Sequence, residues 1–462
     1  MTKVLFIAYY FPPTGGAGVQ RALKFVQYLP SEGFLPVVIT GPSSPDSRWT
    51  PHDRSLMSSI PDCVSIHRIS GSVPQEVSRL RRRVKRWLAQ PKEFSKWWIK
   101  SATELAANVA RDEALIFATM SPFESGEIAG ELSLRLHLPW VADLRDPWAL
   151  DEMEYYPSAL HRRLEMRKME RVLSTASLII MNTSEAAAAL RSAFPRLRDQ
   201  RIVSIPNGFD SADFSSPVAS RRDGKFRIVH TGYLHTDSGT RLRKRMFYRV
   251  LGGVQAGVDI LTRSHTVLLE AVARCCERHP EIRSAVEIVL AGNASPEDEE
   301  VVSASPVADL VRMPGYLSHA ESLHLVRTAD LLFLPMHNLP AGRRSRIVPG
   351  KTYEYMASGR PILAAVPDGD ARDFLERCGT ASICRPNEIT AMVALIERAY
   401  SAWSNQEPAP CWNETFVRQF ERRALAHTLA GAFHSLLAPV LPAAGSRPRL
   451  IAAAGELKTA SS

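Results

Sequence analysis

Short apolar runs recur along the chain and predict buried strands. The first covers residues 4–8, and a loop rich in glycine and proline follows at residues 11–18. Beyond the loop, apolar side chains recur on one helical face, namely Val19, Leu23, Val26 and Leu29. A second apolar run at residues 35–40 completes a strand, loop, helix and strand. This order is the opening unit of a doubly wound α/β domain.

The same alternation continues through the first half and restarts in the second. In the first half, further strands are predicted at residues 114–118, 140–142, Leu178–Met181 and 202–205. After a polar stretch, strands are predicted at residues 227–230, Val286–Ala291, 331–334 and 361–365, and helices at residues 266–277, 318–327 and 353–357. The pattern therefore predicts two successive α/β domains that are joined near residues 206–225.

We place the first domain at residues 1–210 and the second at residues 211–410. Residues 411–437 contain apolar side chains near helical spacing and predict a helix that either crosses back to the first domain or ends the second. Residues 438–462, rich in proline, alanine and glycine, predict a flexible tail. Residues 236–263 are polar and have no clear period, so we expect an insertion or mobile loop there.

Composition narrows the class of protein. Of the 462 residues, 45% are hydrophobic and 23% are charged, which excludes a disordered chain. The net charge of +9 favours anionic partners, such as phosphates, nucleic acid or an acidic membrane, without choosing among them. The six cysteines form no pair or array with zinc spacing, so we expect buried thiols in a reducing compartment and no metal site.

The apolar run at the start is too short for a secretory signal, and no long apolar stretch predicts a membrane span. We therefore expect a cytoplasmic protein, with peripheral contact to a membrane left open.

A glycine loop precedes the first predicted helix at residues 15–18. Glycine lets the backbone approach a ligand, and the free N–H groups of a helix N-terminus hold negative charge. The spacing is neither the dinucleotide fingerprint nor a Walker loop. A phosphate site at Gly15 and Gly16 and a plain tight turn are both compatible with it.

A second candidate site covers residues 347–363. Pro349 and Gly350 fit a turn with free amides, Lys351 begins a helix, and Glu354 falls one turn later. The cation and amides suit a diphosphate, and the carboxylate can accept hydrogen bonds from ribose hydroxyls. A capped helix without a ligand is the alternative.

With these two motifs, the chain resembles the family-4 retaining glycosyltransferases of GT-B architecture, over roughly residues 3–435. The most specific match is Pro-Gly-Lys-x-x-Glu-Tyr-x-Ala-Ser-Gly-Arg-Pro at residues 349–361. The resemblance implies two Rossmann-like α/β domains that face each other across a cleft. It also implies that the first domain takes the acceptor and the second binds a nucleotide diphosphate sugar, without any cofactor.

The resemblance assigns roles to individual residues. Glu354 resembles the glutamate that holds the ribose. Arg263 stands where the family has a lysine that neutralises the diphosphate, and Gly350 and Lys351 are assigned to the same diphosphate. A glutamate expected eight positions before Glu354 is replaced by Arg346, which affects the contact to the donor sugar.

Gly315 and Tyr316 resemble the loop that cradles the nucleobase, where a plain turn is an equal alternative. An arginine usual after the strand glycine is missing, because Tyr233 follows Gly232. Inserted arginines are candidates to compensate, namely Arg241, Arg243 and Arg245.

A third motif follows the predicted strand at residues 140–142. Asp143, Arg145 and Asp146 lie at the carboxyl end of that strand, where α/β folds bind ligands. Arg145 occupies the place of a histidine that touches the donor sugar in the family. We expect one aspartate to orient or deprotonate the acceptor, or Arg145 to brace the diphosphate. An ion pair that only organises the loop is the alternative.

A basic segment runs from Arg79 to Leu88, and tryptophans follow at positions 97 and 98. As a helix it carries one apolar side and many basic residues, which suits an anionic membrane surface. A solvated helix that packs on its own domain is the alternative. Nucleic acid is not expected, because no DNA- or RNA-binding module accompanies the charge.

These motifs favour a retaining, metal-independent hexosyltransferase that uses a glycan or lipid-linked acceptor in cell-envelope or exopolysaccharide synthesis. Two alternatives stay open: a nucleotide-sugar epimerase of the same fold, and a non-catalytic protein that binds nucleotide sugars.

Overall fold

The computed structural model describes residues 1–43, 51–74, 78–218, 221 and 223–438. Three parts of the sequence predictions lie outside these residues: Val77 next to the basic segment, positions 219, 220 and 222 of the linker, and residues 439–462 of the tail.

Seven parallel strands form the sheet of the first half. They are β1 (Thr2–Ile7), β2 (Phe34–Thr40), β3 (Ser65–Arg68), β4 (Leu115–Thr119), β5 (Trp140–Leu144), β6 (Leu178–Met181) and β7 (Ile202–Ser204). Their order across the sheet is β3-β2-β1-β4-β5-β6-β7. The order reverses between β1 and β4, which opens a crevice at the carboxyl ends of these strands.

Six parallel strands form the sheet of the second half. They are β8 (Phe226–Thr231), β9 (Val286–Ala291), β10 (Val311–Gly315), β11 (Leu331–Pro335), β12 (Ile362–Ala365) and β13 (Ala381–Cys384). Their order is β10-β9-β8-β11-β12-β13, the same winding as in the first sheet. The predicted fold class, two Rossmann-like α/β units, is confirmed.

Three strands were not predicted, and each lies at the edge of a sheet. β3, β10 and β13 are half-exposed along most of their length, whereas inner strands such as β4 are fully buried. An edge strand covers less apolar surface, so it lacks the continuous apolar run by which the inner strands were found.

Helices cover both faces of each sheet. In the first half they are α1 (Ala17–Tyr28), α2 (Arg79–Trp87), α3 (Glu93–Val109), α4 (Glu124–Leu136), α5 (Ala159–Leu173), α6 (Ser184–Ala193) and α7 (Ala212–Ser215). In the second half they are α8 (Thr236–Lys244), α9 (Met246–Val250), α10 (Thr266–Arg278), α11 (Pro280–Ala285), α12 (Pro296–Ser303), α13 (His319–Arg327), α14 (Lys351–Ala357), α15 (Asp370–Cys378), α16 (Ile389–Ser404), α17 (Glu414–Val417) and α18 (Arg422–Leu437). Short 3₁₀ turns lie at Leu29–Glu32, Arg54–Ser59, Trp148–Leu150, Pro195–Leu197, Ile260–Thr262, Ala308–Leu310 and Arg418–Phe420.

The expectation of a mobile loop at residues 236–263 is wrong. This segment forms α8 and α9, and its residues Leu242, Val258 and Ile260 form a small buried cluster with Leu339. Few apolar side chains are enough for so small a cluster, so the segment shows no clear period in the sequence.

The end of the chain packs on the first half. Phe416 and Phe420 lie in the core beside the second sheet, whereas Leu429 and Phe433 of α18 lie in the core beside the first. The ring of Phe433 approaches that of Phe34 at 5.2 Å. The two halves are thus joined by α18 as well as by the chain near residue 210.

No helix in the described part of the chain is long and apolar enough to cross a membrane. Four cysteines are buried as expected, whereas Cys63 and Cys411 are exposed.

Candidate functional site

A cavity of about 370 Å³ lies between the two halves. It is lined by residues that follow the carboxyl ends of strands in both sheets, including Arg145 after β5, Gly232 after β8 and Tyr316 after β10. Parallel strands that end at one edge bring distant loops together, so this is where a doubly wound sheet binds its ligand.

Lys351 is held at the floor of the cavity by a buried histidine. His230 donates from Nδ1 to the carbonyl of Phe333 (3.0 Å), which leaves its Nε2 to accept from Nζ of Lys351 (2.9 Å). A Cβ built on Gly232 would lie 3.2 Å from Nζ, so the glycine after β8 leaves room for the lysine. His230 was not identified from the sequence, because it lies inside an ordinary buried strand.

The charge of Lys351 depends on its surroundings. Burial of the amine, with Arg263 as a second cause, lowers the pKa of Lys351 to about 7, and Glu354 only partly opposes them. Burial also lowers the pKa of His230, with Lys351 as the next cause, so the histidine is neutral. Near neutral pH, Lys351 is thus close to losing its proton until an anion joins it.

Arg263 lines the same cavity, as the sequence predicted for a phosphate ligand. Burial lowers the pKa of its guanidinium, while Asp151 and Asp146 oppose that shift. Its Nη1 contacts the sulfur of Met153 at 3.3 Å. Two cations from separate elements, Arg263 and Lys351, therefore face one space.

Glu354 also lines the cavity, one turn into α14. Its carboxylate lies 4.0 Å from the guanidinium of Arg422, which itself pairs with Asp210 at 2.9 Å. Arg422 belongs to α18, so the helix that crosses back also carries a charged group to the site. Sequence reasoning missed Arg422, since nothing local marks it.

A second cavity residue absent from the sequence predictions is His319, at the start of α13. Burial alone would lower its pKa, but a hydrogen bond with Asp213 (3.1 Å) and the charge of Glu354 outweigh burial and raise it. His319 therefore keeps its proton to a higher pH than a free histidine does.

The glycine loop contributes differently from the prediction. The N–H of Gly15 donates to the carbonyl of Pro51 (2.6 Å), so it is not free for a phosphate, and Gly15 is not among the residues that line the cavity. Gly16 and Gly18 do line it. Gly16 has φ 90°, in the left-handed region that favours glycine.

Of the two residues predicted to form the nucleobase loop, one lines the cavity and the other does not. Tyr316 lines the cavity, and its hydroxyl would lie 3.4 Å from a Cβ on Gly15, so the loop of the second half meets the glycine loop of the first. Gly315 lies outside the lining, with φ 77°, and its carbonyl accepts from Gly292 (2.8 Å). Gly315 therefore shapes the turn that presents Tyr316.

Asp143 does not reach the cavity. Its carboxylate is fully buried and accepts from Arg21 at Nη2 (2.6 Å) and Nε (3.0 Å). Arg21 also donates to the carbonyl of Pro206 (2.9 Å). For Asp143, the alternative of a structural ion pair therefore fits its position, with Arg21 as the partner instead of Arg145.

Arg145 and Asp146 both line the cavity. The guanidinium of Arg145 would lie 3.3 Å from a Cβ on Gly18, and its buried Nε has no hydrogen-bond partner among the described residues. Burial lowers the pKa of Arg145, and Asp146 is the largest opposing charge. Asp146 is exposed, and its charge also opposes the lowering of the pKa of Arg263. Asp146 therefore interacts electrostatically with both arginines.

Arg346 is not among the residues that line the cavity. Its guanidinium donates to the carbonyl of Leu150 (2.7 Å), and its backbone N–H donates to Glu152 (3.0 Å). The same oxygen of Glu152 accepts from Ser345 (2.6 Å) and His337 (3.1 Å). This buried polar cluster joins the two halves beside the cavity.

The inserted arginines are directed elsewhere. Arg243 pairs with Asp259 (2.7 Å), Arg241 pairs with Asp237 (3.4 Å), and Arg245 lies over the ring of Tyr248. None of the three lines the cavity, so the suggestion that they replace the missing arginine at Tyr233 is wrong. Among the described residues, no cluster of His, Cys, Asp or Glu side chains is arranged to hold a metal ion.

Residues 259–402 match the family model of Glycosyl transferases group 1. This glycosyltransferase match contains the predicted donor-side residues Arg263, Lys351 and Glu354, but not Arg145 or Asp146 of the first half. No curated protein matches the sequence significantly.

Solved structures share the fold over nearly the whole chain. HepE from Anabaena, in complex with UDP and glucose, is 15% identical with a TM-score of 0.58, covering 94% of this chain and 100% of that one. Sucrose-phosphate synthase from Thermosynechococcus elongatus is 15% identical with a TM-score of 0.63, covering 94% and 99%. A Listeria monocytogenes protein assigned as a UDP-N-acetylglucosamine 2-epimerase is 13% identical with a TM-score of 0.52, covering 94% and 96%. The fold is therefore the GT-B architecture.

Proposed function

We propose that this chain is a retaining glycosyltransferase that moves a sugar from a nucleotide diphosphate sugar to an acceptor hydroxyl. The observation that supports it best is the convergence of Lys351, Arg263 and Glu354 on one cavity between the two halves. In this proposal residues 1–210 take the acceptor and residues 211–410 bind the donor. The UDP and glucose found with the Anabaena HepE structure agree with such a donor.

The donor diphosphate lies against Lys351 and Arg263, with Gly350 and Gly16 as the neighbouring backbone. As the bond from the anomeric carbon to the diphosphate oxygen breaks, that oxygen gains negative charge. Two cations in a partly buried site stabilise this charge better than water does, because little reorganisation is needed. The arrangement supplies this stabilisation from protein side chains, so the transfer is proposed to need no metal.

The ribose hydroxyls donate to Glu354, and Tyr316 lies against the nucleobase. Arg422 holds the carboxylate of Glu354 from the side, and its own pairing with Asp210 fixes its position. The donor is thereby oriented before the acceptor arrives.

The acceptor approaches from the first half. A new bond forms between the acceptor oxygen and the anomeric carbon, on the face that the diphosphate leaves, and the hydroxyl proton moves to the departing diphosphate or to Asp146. Because Asp143 is committed to Arg21, Asp146 is the remaining carboxylate of that motif at the cavity. Arg145 braces the diphosphate or the donor sugar.

The acceptor is proposed to be a glycan or a lipid-linked sugar of cell-envelope or exopolysaccharide synthesis, used on the cytoplasmic side of the membrane. The first test is a thermal-shift screen of nucleoside diphosphates, since a ligand that binds only the folded state raises its melting temperature. The rise should disappear in Lys351→Ala and persist in Lys225→Ala, an exposed lysine outside the cavity. A screen without any rise would contradict the donor site.

Transfer itself is measured with radiolabelled nucleotide sugars and an acceptor extract, in excess chelator. Activity that is lost with the chelator and restored by manganese would contradict metal independence. The Listeria neighbour keeps an epimerase as the second candidate. Conversion of the sugar nucleotide without any acceptor would support the epimerase, whereas binding without conversion or transfer would support a non-catalytic protein.

A further inference from the structure

Helix α2 has an apolar face that the described residues leave exposed. Leu80, Val84 and Leu88 recur every four residues and lie on one side of the helix, and Leu80 is 71% exposed. Helices in globular proteins normally bury such a face against the core. Here the predicted basic helix is confirmed, but its apolar side is open to solvent.

Helix α9 of the other half has the same property. Met246, Phe247 and Val250 are all exposed, at 73%, 61% and 75%. This helix belongs to the segment that the sequence predicted as a loop. No residue of α9 is buried, so its apolar side chains do not contribute to the core, and exposed apolar patches of this kind mark interaction sites.

Contacts between aromatic side chains join α2 to α9. The ring of Trp87 lies 5.9 Å from that of Phe247, and the guanidinium of Arg86 lies over Tyr155 (5.3 Å) and Tyr248 (5.6 Å). The apolar residues of both helices thus belong to one continuous surface that spans the two halves.

The start of α5 extends this surface. Its exposed residues Leu160 and Leu164 lie one turn apart, and His161 between them hydrogen-bonds the carbonyl of Trp87 at 2.9 Å. We call the exposed apolar residues of α2, α9 and the start of α5 the docking surface.

The charge around the docking surface is mainly positive, and Glu154 is an exposed acidic residue near Arg86 and Lys92. Residues 78–92 and 241–250 contain no acidic residue. The exposed basic side chains around it include Arg81, Arg82, Arg83, Arg86, Lys92, Arg163, Lys244 and Arg249. Apolar side chains surrounded by cations match the interface of a bilayer, where acyl chains lie beneath anionic headgroups.

We propose that the docking surface binds an anionic lipid bilayer through both halves of the molecule, with Leu80, Leu88, Phe247 and Val250 inserted among the headgroups. The segment from Asp146 to Tyr155 leads from the cavity to this surface, so docking holds the acceptor side of the cavity near the membrane. Combined with the proposed transfer, docking assigns a lipid-linked acceptor, and this last step rests on the proposed function.

Sedimentation with vesicles tests docking without any nucleotide. The full chain should sediment with vesicles that contain phosphatidylglycerol, and not with pure phosphatidylcholine. Changing Arg81, Arg82 and Arg83 together to Glu should weaken binding at least about a hundredfold, since each basic residue near an anionic surface contributes about fivefold. The matched control changes three exposed arginines elsewhere on the first half to Glu, namely Arg196, Arg198 and Arg201.

Changing Met246, Phe247 and Val250 together to Ser tests the contribution of the second half and should weaken binding more than tenfold. If a triple variant is unfolded by circular dichroism, the single variants Arg82→Glu and Phe247→Ser replace it. Binding that survives the changes in α2 or those in α9 would overturn docking through both halves. Equal binding to neutral vesicles, or self-association that the α9 variant abolishes, would also overturn it. Nucleotide-induced thermal shifts should stay unchanged in all these variants, which separates a failure of docking from a failure of the donor site.

Discussion

Donor binding should weaken as the pH rises, because Lys351 loses its proton near neutrality in the empty site. The pKa of its ammonium is lowered to about 7, with burial as the main cause and Arg263 as the second. A bound diphosphate supplies negative charge beside the amine and raises its pKa again. Below pH 7 the protonated form is ready for the ligand, whereas above pH 7 binding must first take up a proton.

The size of the effect follows from the fraction of Lys351 that is protonated. With a pKa of about 7, roughly nine-tenths of the lysine is charged at pH 6 and about 3% at pH 8.5. The dissociation constant of a sugar nucleotide should therefore rise about thirtyfold between these values, or about 2 kcal/mol. A sugar nucleotide such as UDP-glucose is the right probe, since its diphosphate has no proton to lose in this range.

Isothermal titration calorimetry in buffers of different ionisation enthalpy measures both the affinity and the proton uptake. At pH 8, about 0.9 proton should be taken up per ligand by the lysine. His319 titrates in the same direction, because its pKa is raised, so the measurement is repeated in His319→Gln. Lys351→Arg keeps its charge throughout and should show a nearly flat profile, with Lys225→Arg as the control that keeps the slope. An affinity without pH dependence in the unmodified protein, or an unchanged slope in Lys351→Arg, would refute the reasoning.

Three further predictions concern stability. Glu152→Ala should destabilise the protein by about 3 kcal/mol in urea unfolding at pH 7. Although burial opposes ionisation of Glu152, hydrogen bonds from His337 and Ser345 hold its pKa at about 2. The stabilisation is therefore present above pH 4.5 and is lost as the pH falls towards 2. A loss as large at pH 2 as at pH 7 would contradict this cause. Arg21→Ala should cost about 3–5 kcal/mol, because it leaves the buried charge of Asp143 unpaired, and unchanged urea stability would contradict the ion pair. Phe433→Ala should lower the free energy of unfolding by about 3–5 kcal/mol, because Phe433 lies in the core beside the first sheet. Thr428→Ala, on the exposed face of α18, should change it little. Equal effects would mean that α18 does not pack on the first half.

Local patterns predicted most of the inner strands, and the motif at residues 349–361 together with the family resemblance singled out Arg263, Lys351 and Glu354, which the structure brings to one cavity. Lys351 and Glu354 lie three positions apart, so one turn of helix places their side chains on the same face. Gly350, directly before them, indicates the turn that precedes the helix. Arg263 was identified through the family resemblance, which places a cation at a fixed distance before one helix. Such features depend on short stretches of chain, which is why the sequence alone could reveal them.

Pairings between distant parts of the chain could not be predicted in this way. Arg21 meets Asp143 across 122 positions, and Lys351 meets His230 across 121. Arg21 and His230 are ordinary in their own segments: Arg21 is one polar residue of an amphipathic helix, and His230 lies in an apolar strand. Their roles come from the strand order, which places loops from different crossovers at one edge.

Arg346 departs from the family pattern, and the structure shows what the arginine contacts instead. A glutamate expected at this position would face the donor sugar, but the arginine extends to the carbonyl of Leu150, and its own carbonyl accepts from Thr183 (2.9 Å). Both partners belong to the first half, so the position joins the halves instead of lining the cavity. In the proposed function, contact with the donor sugar then comes from other residues, and the charged residues of the first half that line the cavity are Arg21, Lys24, Asp53, Arg145 and Asp146. Arg346 bonds to Leu150 and Thr183 of the first half, so in the proposed function it helps to hold Arg145 and Asp146 at the cavity instead of contacting the sugar itself.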